Sequence, residues 1–345
     1  MSSVTLAALT ACGGGSDVSS TPPVLTMPVS TVPLTTTTPP ASTESIVTVV
    51  TAPNYAQIQE ESSAYATLNA ERLRCGFGLL AQNTKLDTSA RGHATWLLKN
   101  NRSGHFQVKV MPDGTDSLGF TGERPEFRMA NAGYVSGASF LSTEAEIDAG
   151  GSKTGQGIQG VRRLLNAPYH LMSMLRGFKE VGISVMDQND LGLSTNYRHV
   201  VNIDLASDVY QAPATGTVRS YPCEGSMGME RSLTSENPTP TPDRNLGQNP
   251  LGTSIGVVVD VGHTLVISSA SMAKASTGTS VPLLNPVVGS TDYYTLKGVQ
   301  YMNNNEGFIS ASEPLEAGTL YRVTFSGSDN GVAFQPRTFT FTTGN

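Results

Sequence analysis

Two isolated histidines are the best chemical lead in this sequence: His105, in NNRSGHF, and His170, in LLNAPYHLMSML, with glutamates between them. Imidazole and carboxylate together hold a divalent ion such as Zn²⁺, or move a proton near neutral pH. His105 follows Gly104 just past the end of a helical pattern, so it sits on a loop and can face a cleft. His170 lies between a helix-ending Pro168 and an amphipathic run. The stretch STEAEIDAGG between them carries Glu144 and Glu146 ahead of a glycine pair. The other three histidines read more plainly. His93 lies near the apolar side of a helix, as a hydrogen-bonded core residue; His199 opens a strand and reads as structural; His263 sits in a turn, as a solvated loop residue. Ser103 stands near His105, with Asp113 and Asp116 following, but no GxSxG elbow or oxyanion-forming glycine turn surrounds a serine here.

Short elements must position these residues. From residue 57 to 73, Ile58, Tyr65, Leu68 and Leu73 stand seven, three and five positions apart with polar residues between, which reads as an amphipathic helix that Gly76 stops. A second helix starts at Asp87, with Ala90, Ala94, Leu97 and Leu98 on one side. A long irregular connection follows, with a short helix behind Pro125 over residues 126–132. GVRRLLNAPYHLMSML is a helix, a proline break and a second helix. Residues 181–186 and 199–205 alternate as strands, so helices are expected on a small sheet.

The chain has 345 residues, enough for two domains; 14% are charged and the net charge is −6, which gives no pull toward nucleic acid or anionic lipid. Cys12 ends a short apolar run in MSSVTLAALTACGGGS, and the segment resembles a bacterial lipobox, in which Cys12 carries lipid. The run is short and lacks the Lys or Arg expected before it, so a start further upstream is an expectation. Residues 13–50 are rich in Thr, Pro and Ser and cannot bury enough to fold, so they read as a stalk. Cys75 and Cys223 would tie the beginning of the folded region to its end. In an exported protein that pairing is expected, and it is worth about 4 to 5 kcal/mol in the chain-entropy model. Residues 226–250 form a second Pro-rich linker. Beyond it, from 251 to 345, seven short alternating runs (GVVVDVG, HTLVISSASM, TSVPLLNPVV, DYYTLKG, EGFISAS, TLYRVTFSG and QPRTFTFTT) indicate an antiparallel β-sandwich whose close resembles bacterial Ig-like surface modules.

The middle region, about residues 55–225, resembles the CAP superfamily (the SCP or sperm-coating-protein domain) in its bacterial form. The motifs are LNAERLRCG, NTKLDTSARGHATWLLKNN, the SGHF loop, FTGERPEFRMANAGY, the Glu then Gly-Gly segment, LLNAPYHLMSML and FKEVGISV, in that order. The resemblance implies an α+β fold, an α-β-α sandwich with a cavity lined by two histidines and two acids. Matched by motif, the histidines are His105 and His170 and the first acid is Glu146, with Glu144 two residues away as the alternative. No acid stands in GVRRLL, where the family has its second; Asp148 is the spatial substitute to consider. The implied function is an exported, lipid-anchored envelope protein whose His105, His170 and Glu146 bind Zn²⁺ or another divalent metal, or a small ligand or envelope component. One alternative is a metal-assisted, peptidase-like hydrolase with Glu146 as general base. The other is a structural adhesin acting through the Ig-like module. The membrane enters through the lipid anchor only, and no nucleic-acid partner is expected.

Overall fold

The computed structural model describes residues 45–57, 59–134, 140–193 and 198–345. Cys12 and the Thr/Pro-rich stretch up to residue 44 lie outside the described residues. Ordered contacts begin before Tyr55: Leu79 N donates to the Val47 carbonyl (2.8 Å), and Val47 N donates to Gln211 Oε1 (2.8 Å).

Helix α1 (Glu60–Arg74) carries Glu60 and Glu61 in its first turn and Arg72 and Arg74 in its last, which suits the helix dipole at both ends. Helix α2 (Thr84–Asn100) starts three residues before the Asp87 that the sequence suggests, because Asn83 is the cap: its side chain accepts from Lys85 N. Asp87 instead accepts from Ile183 N (2.9 Å) and from the Tyr55 hydroxyl, which ties α2 to the sheet. After β1 (Ala81–Gln82) and α2 come α3 (Pro125–Asn131), β2 (Leu141–Gly150), α4 (Gln156–Leu164), α5 (Pro168–Leu175), β3 (Glu180–Asp187) and β4 (Arg198–Ser207).

The first sheet runs β1-β3-β4-β2, which makes β2 an edge strand. Period-two alternation divides its faces. Val181, Ile183 and Val185 of β3, Val201, Ile203 and Leu205 of β4 and Ala145 of β2 join the core shared with α1, α4 and α5. Met186 and Val200 turn the other way, onto Ala94, Trp96 and Leu97 of α2, while Ala206 meets Leu86 and Met129. Helices therefore cover both faces. Gly182 lets α2 approach β3 closely, since a Cβ there would lie 2.0 Å from the Leu86 carbonyl carbon.

The rest of the chain is mostly β: β5 (Arg219–Tyr221), β6 (Ser226–Met229), β7 (Ser254–Val258), β8 (Leu265–Lys274), β9 (Ser280–Val281), β10 (Val287–Val288), β11 (Glu306–Ser310), β12 (Leu320–Asp329) and β13 (Val332–Thr343). They form a sheet ordered β10-β11-β7-β5 and another ordered β6-β13-β12-β8-β9. The protein is thus mixed α and β, with five α-helices and three small sheets among the described residues. The DYYTLKG run, expected as a strand, contains a single 3₁₀ turn (Thr295–Lys297) instead. Asp292 Oδ2 accepts from Tyr294 N and Thr295 N and so draws the backbone into that turn.

The Pro-rich stretch after β6 is packed rather than free. Leu233 and Leu246 are buried with Ala167 and Leu251, and Leu233 and Leu251 exchange backbone hydrogen bonds of 2.8 and 3.1 Å. Cys75, at the end of α1, and Cys223, between β5 and β6, form a disulfide with Cα atoms 5.5 Å apart. It joins the helical region to strands of the C-terminal sheets.

Candidate functional site

The site gathers along edge strand β2, between the loop after α2 and the start of α5. Glu144 and Glu146 point to the α2 face, because residues two apart on a strand share a side. Opposite them on β4, in register, stand Asp204 and Asn202. His93, four residues before Leu97 on α2, descends onto this polar row with no exposure.

His93 is a hydrogen-bonded core histidine, and its partners belong to the site. Thr121 N donates to Gln107 Oε1 (2.8 Å), which turns the amide nitrogen of Gln107 toward His93 Nδ1 (3.1 Å). Nδ1 must therefore accept, and Nε2 carries the proton. Nε2 donates to Glu146 Oε2 (3.3 Å) and to the Gly104 carbonyl (3.2 Å). Gly104, at φ 95° where glycine is favoured, returns its own N–H to Glu146 Oε1 at 3.3 Å. The SGHF loop is thereby pinned to both α2 and β2. His93, Glu144 and Glu146 each bring a ligand atom within 4.8 Å of the others, so this group could hold a metal ion only with Nε2 deprotonated and the Gln107 amide turned over to accept from Nδ1.

Glu144 is the acid nearer to His105: His105 Nδ1 lies 3.1 Å from Glu144 Oε1 and 3.8 Å from Glu146 Oε2. Arg128 of α3 donates Nη2 to Glu144 Oε2 and Nη1 to the His105 carbonyl (3.0 Å), and Asn202 Nδ2 also reaches Oε2 (3.2 Å). Burial works against the charge on Glu144, but His93, Arg128 and the His105 hydrogen bond outweigh it and hold its carboxyl well below the usual range. Glu146 is lowered too, as burial is overcome by the hydrogen bond and proximity of His93 and by His105. Burial also opposes the charged form of His105, yet the hydrogen bond and charge of Glu144, with Glu146 behind, raise its pKa.

His170 comes from the opposite side. Its ring centroid lies 5.6 Å from that of His105. Asp148 plays no part here, because its carboxylate pairs with Arg198. The acid that meets His170 is Glu236, from the Pro-rich stretch between β6 and β7. Glu236 Oε1 accepts from Tyr169 N (2.8 Å), His170 N (3.2 Å) and His170 Nδ1 (3.2 Å), and its side chain is fully buried. Helix α5 begins at Ala167, which has no capping side chain, so Glu236 supplies the cap from a distant part of the chain. At the other end of α5, Arg176 forms an ion pair with Glu306 of β11 (2.8 Å). Both ends of the helix that carries His170 are thus held by acids from the C-terminal half.

The signal for Glu236 in the sequence is faint: it is one of two acids, with Asp243, in a Thr/Pro-rich run flanked by Leu233 and Leu246. The remaining histidines lie outside the site. His199 is buried, with Nδ1 on the Gly151 carbonyl (3.2 Å), and burial lowers its pKa. His263 is partly exposed and pairs with Asp329.

Asp204 offers a local test. Burial first, then the charge of Glu144, push its carboxyl well above the usual range. A raised acid contributes its stability below its unfolded pKa and loses it as pH rises through the folded value, so Asp204 weakens the fold at neutral pH. Asp204→Asn is expected to stabilise the protein by on the order of 1 kcal/mol at pH 7, with no gain near pH 3, by denaturant titration. An equal effect at both pH values would contradict the buried neutral carboxyl.

No protein-family model matches the chain, and no curated protein matches it. Among solved structures, an outer surface protein from Borrelia burgdorferi is similar over 45% of this chain and 96% of its own, at 17% identity and a TM-score of 0.32. A likeness at that level sets neither family nor function. Among the described residues no helix is long and apolar enough to cross a membrane. The Cys75–Cys223 disulfide fits an oxidising compartment outside the cytoplasm.

Proposed function

We propose that this is an exported cell-envelope protein of the CAP type, raised on a Thr/Pro-rich stalk from a lipidated Cys12 and followed by an Ig-like module, whose His105 and His170 bind a divalent metal ion such as Zn²⁺. The observation that carries this reading is the matched support behind the two rings: His105 Nδ1 on Glu144 at 3.1 Å and His170 Nδ1 on Glu236 at 3.2 Å. A carboxylate on one ring nitrogen fixes the tautomer and leaves the other nitrogen as the ligand. The separation suits a shared ion. Two Zn–N bonds of about 2.0–2.1 Å at a tetrahedral angle put ring centroids roughly 5 Å apart, and the observed value is 5.6 Å. Glu146 lies on the Nδ1 side of His105 (3.8 Å) with both oxygens engaged, so water would complete the set, and a bound ion would polarise that water or the oxygen of a small ligand.

The hydrolase alternative asks Glu146 to act as a general base. Both of its oxygens are already engaged, by His93 and by Gly104 N, which favours binding over turnover.

Zinc titration of the full, metal-free chain tests the reading. His105→Ala with His170→Ala is expected to lose one equivalent of uptake while the far-UV spectrum and melting temperature persist. Glu236→Gln keeps an oxygen to cap α5 but removes the charge, and should weaken that site by about 10–100-fold. Unchanged affinity in the double variant would overturn the proposal.

A further inference from the structure

His263 reads in the sequence as a loop residue, yet the fold sets it against aspartates from two different turns. Asp260 and His263 bracket the β7–β8 turn, closed by His263 N donating to the Asp260 carbonyl at 3.1 Å. Asp329 ends β12, in register with Leu265. The β12–β13 turn is Asn330-Gly331, with φ of 49° and 80°, the pattern of a tight hairpin. Asn330 ties the two turns together: its N donates to the Thr264 carbonyl and its Oδ1 accepts from Thr264 N, both at 2.9 Å. Three ligand-bearing residues are thereby fixed on a rigid corner of the C-terminal region.

One ligand atom each from Asp260, His263 and Asp329 lies within 4.8 Å of the others. His263 Nδ1 is 2.7 Å from Asp329 Oδ1, and Asp260 Oδ2 accepts from Gly216 N at 2.7 Å. The second oxygen of each aspartate and Nε2 of His263 make no hydrogen bond among the described residues. Nor does a Lys or Arg form an ion pair with either aspartate among those residues. Arg219 turns to the Gly76 carbonyl and lies over the Phe77 ring, 4.6 Å from its centroid, yet stays close enough to Asp260 for their charges to attract, so it would compete in part with a bound cation. Two neighbouring carboxylates with one imidazole have an excess of negative charge that a dication would offset. A groove of about 650 Å³ opens beside them, lined by Gly216, His263, Asp329, Phe334 and Arg337 among others.

We infer that Asp260, His263 and Asp329 form a divalent-metal site independent of His105 and His170, with open positions facing this groove. One nitrogen and two carboxylate ligands suit Zn²⁺ or Mn²⁺. The site goes beyond the proposed function, and neither depends on the other.

The test is uptake of Zn²⁺, and separately Mn²⁺, by the full metal-free chain, measured by equilibrium dialysis and elemental analysis. His263→Ala with Asp329→Asn should lose one equivalent both in the parent chain and in the chain that already carries His105→Ala and His170→Ala. Asp260→Asn keeps an oxygen for Gly216 N and serves as the second variant should the first fail to fold; its uptake at this site should be at least tenfold weaker. Unchanged uptake in these variants would overturn the inference and leave His263 and Asp329 as an ion pair that braces a turn. Loss here with no change on removing His105 and His170 would support this site while refuting the other.

Discussion

Replacing Cys223 with Ser should lower the stability of the folded protein by about 5 kcal/mol and its melting temperature by roughly 10 °C or more. The bridge spans 148 positions, and in the chain-entropy model the denatured state loses more freedom the longer the loop that is closed. Its place in the fold adds a second reason. Cys75 ends α1 and Cys223 joins β5 to β6, so the bond links the first helix to strands in two different sheets. Without it those regions are held by noncovalent contacts, among them Arg74 to the Gly225 carbonyl (2.8 Å) and Arg176 to Glu306. Calorimetry with and without reductant checks this. A parent chain whose melting temperature is unchanged by reduction, and matched by Cys223→Ser, would contradict it.

The second large effect belongs to Arg128→Met, expected to cost about 3–5 kcal/mol at pH 7, because removing one partner of a buried ion pair leaves the other charge under-compensated. Arg128 is fully buried and Glu144 nearly so. The loss extends beyond the pair, since Arg128 also donates to the His105 carbonyl and holds the loop that delivers that histidine. Acidity supplies the discriminating control. Glu144 has a depressed folded pKa, so its contribution is present above about pH 4.5 and is lost as pH falls through the folded value. The deficit of Arg128→Met should therefore be full at pH 7 and shrink steadily below about pH 4. A deficit independent of pH would assign Arg128 a packing role alone.

The legible and illegible parts of the site divide along physical lines. His105 and His170 stand out because glycine and proline punctuate the helices beside them, and those breaks do place both residues on the same side of the molecule. Local amphipathic spacing likewise indicates α1 and α2 to within a few residues. Two contributions are hidden. STEAEIDAGG has no run of apolar residues, so it does not read as a strand. As β2 it alternates Ala145 toward the core with Glu144 and Glu146 toward α2, which is why His93 meets them. The period-two rule puts both glutamates on one face only once the segment is taken as extended.

Glu236 is harder. Thr- and Pro-rich sequence lowers the expectation of burial, and the contact that matters, from Glu236 to the first turn of α5, crosses 66 positions. Local sequence carries no record of such a pairing. Leu233 and Leu246 are the available hint, since a free linker has no use for buried leucines. Glu236, supplied from between β6 and β7, is the acid that meets His170.

X-ray absorption at the zinc edge tests the central claim most directly, on the full chain carrying His263→Ala and Asp329→Asn and loaded with one equivalent of Zn²⁺. The first shell should contain nitrogen from two imidazoles at about 2.0–2.1 Å, and that signature should be lost on adding His105→Ala and His170→Ala. A shell of oxygen alone, or one that the added substitutions leave unchanged, would contradict it.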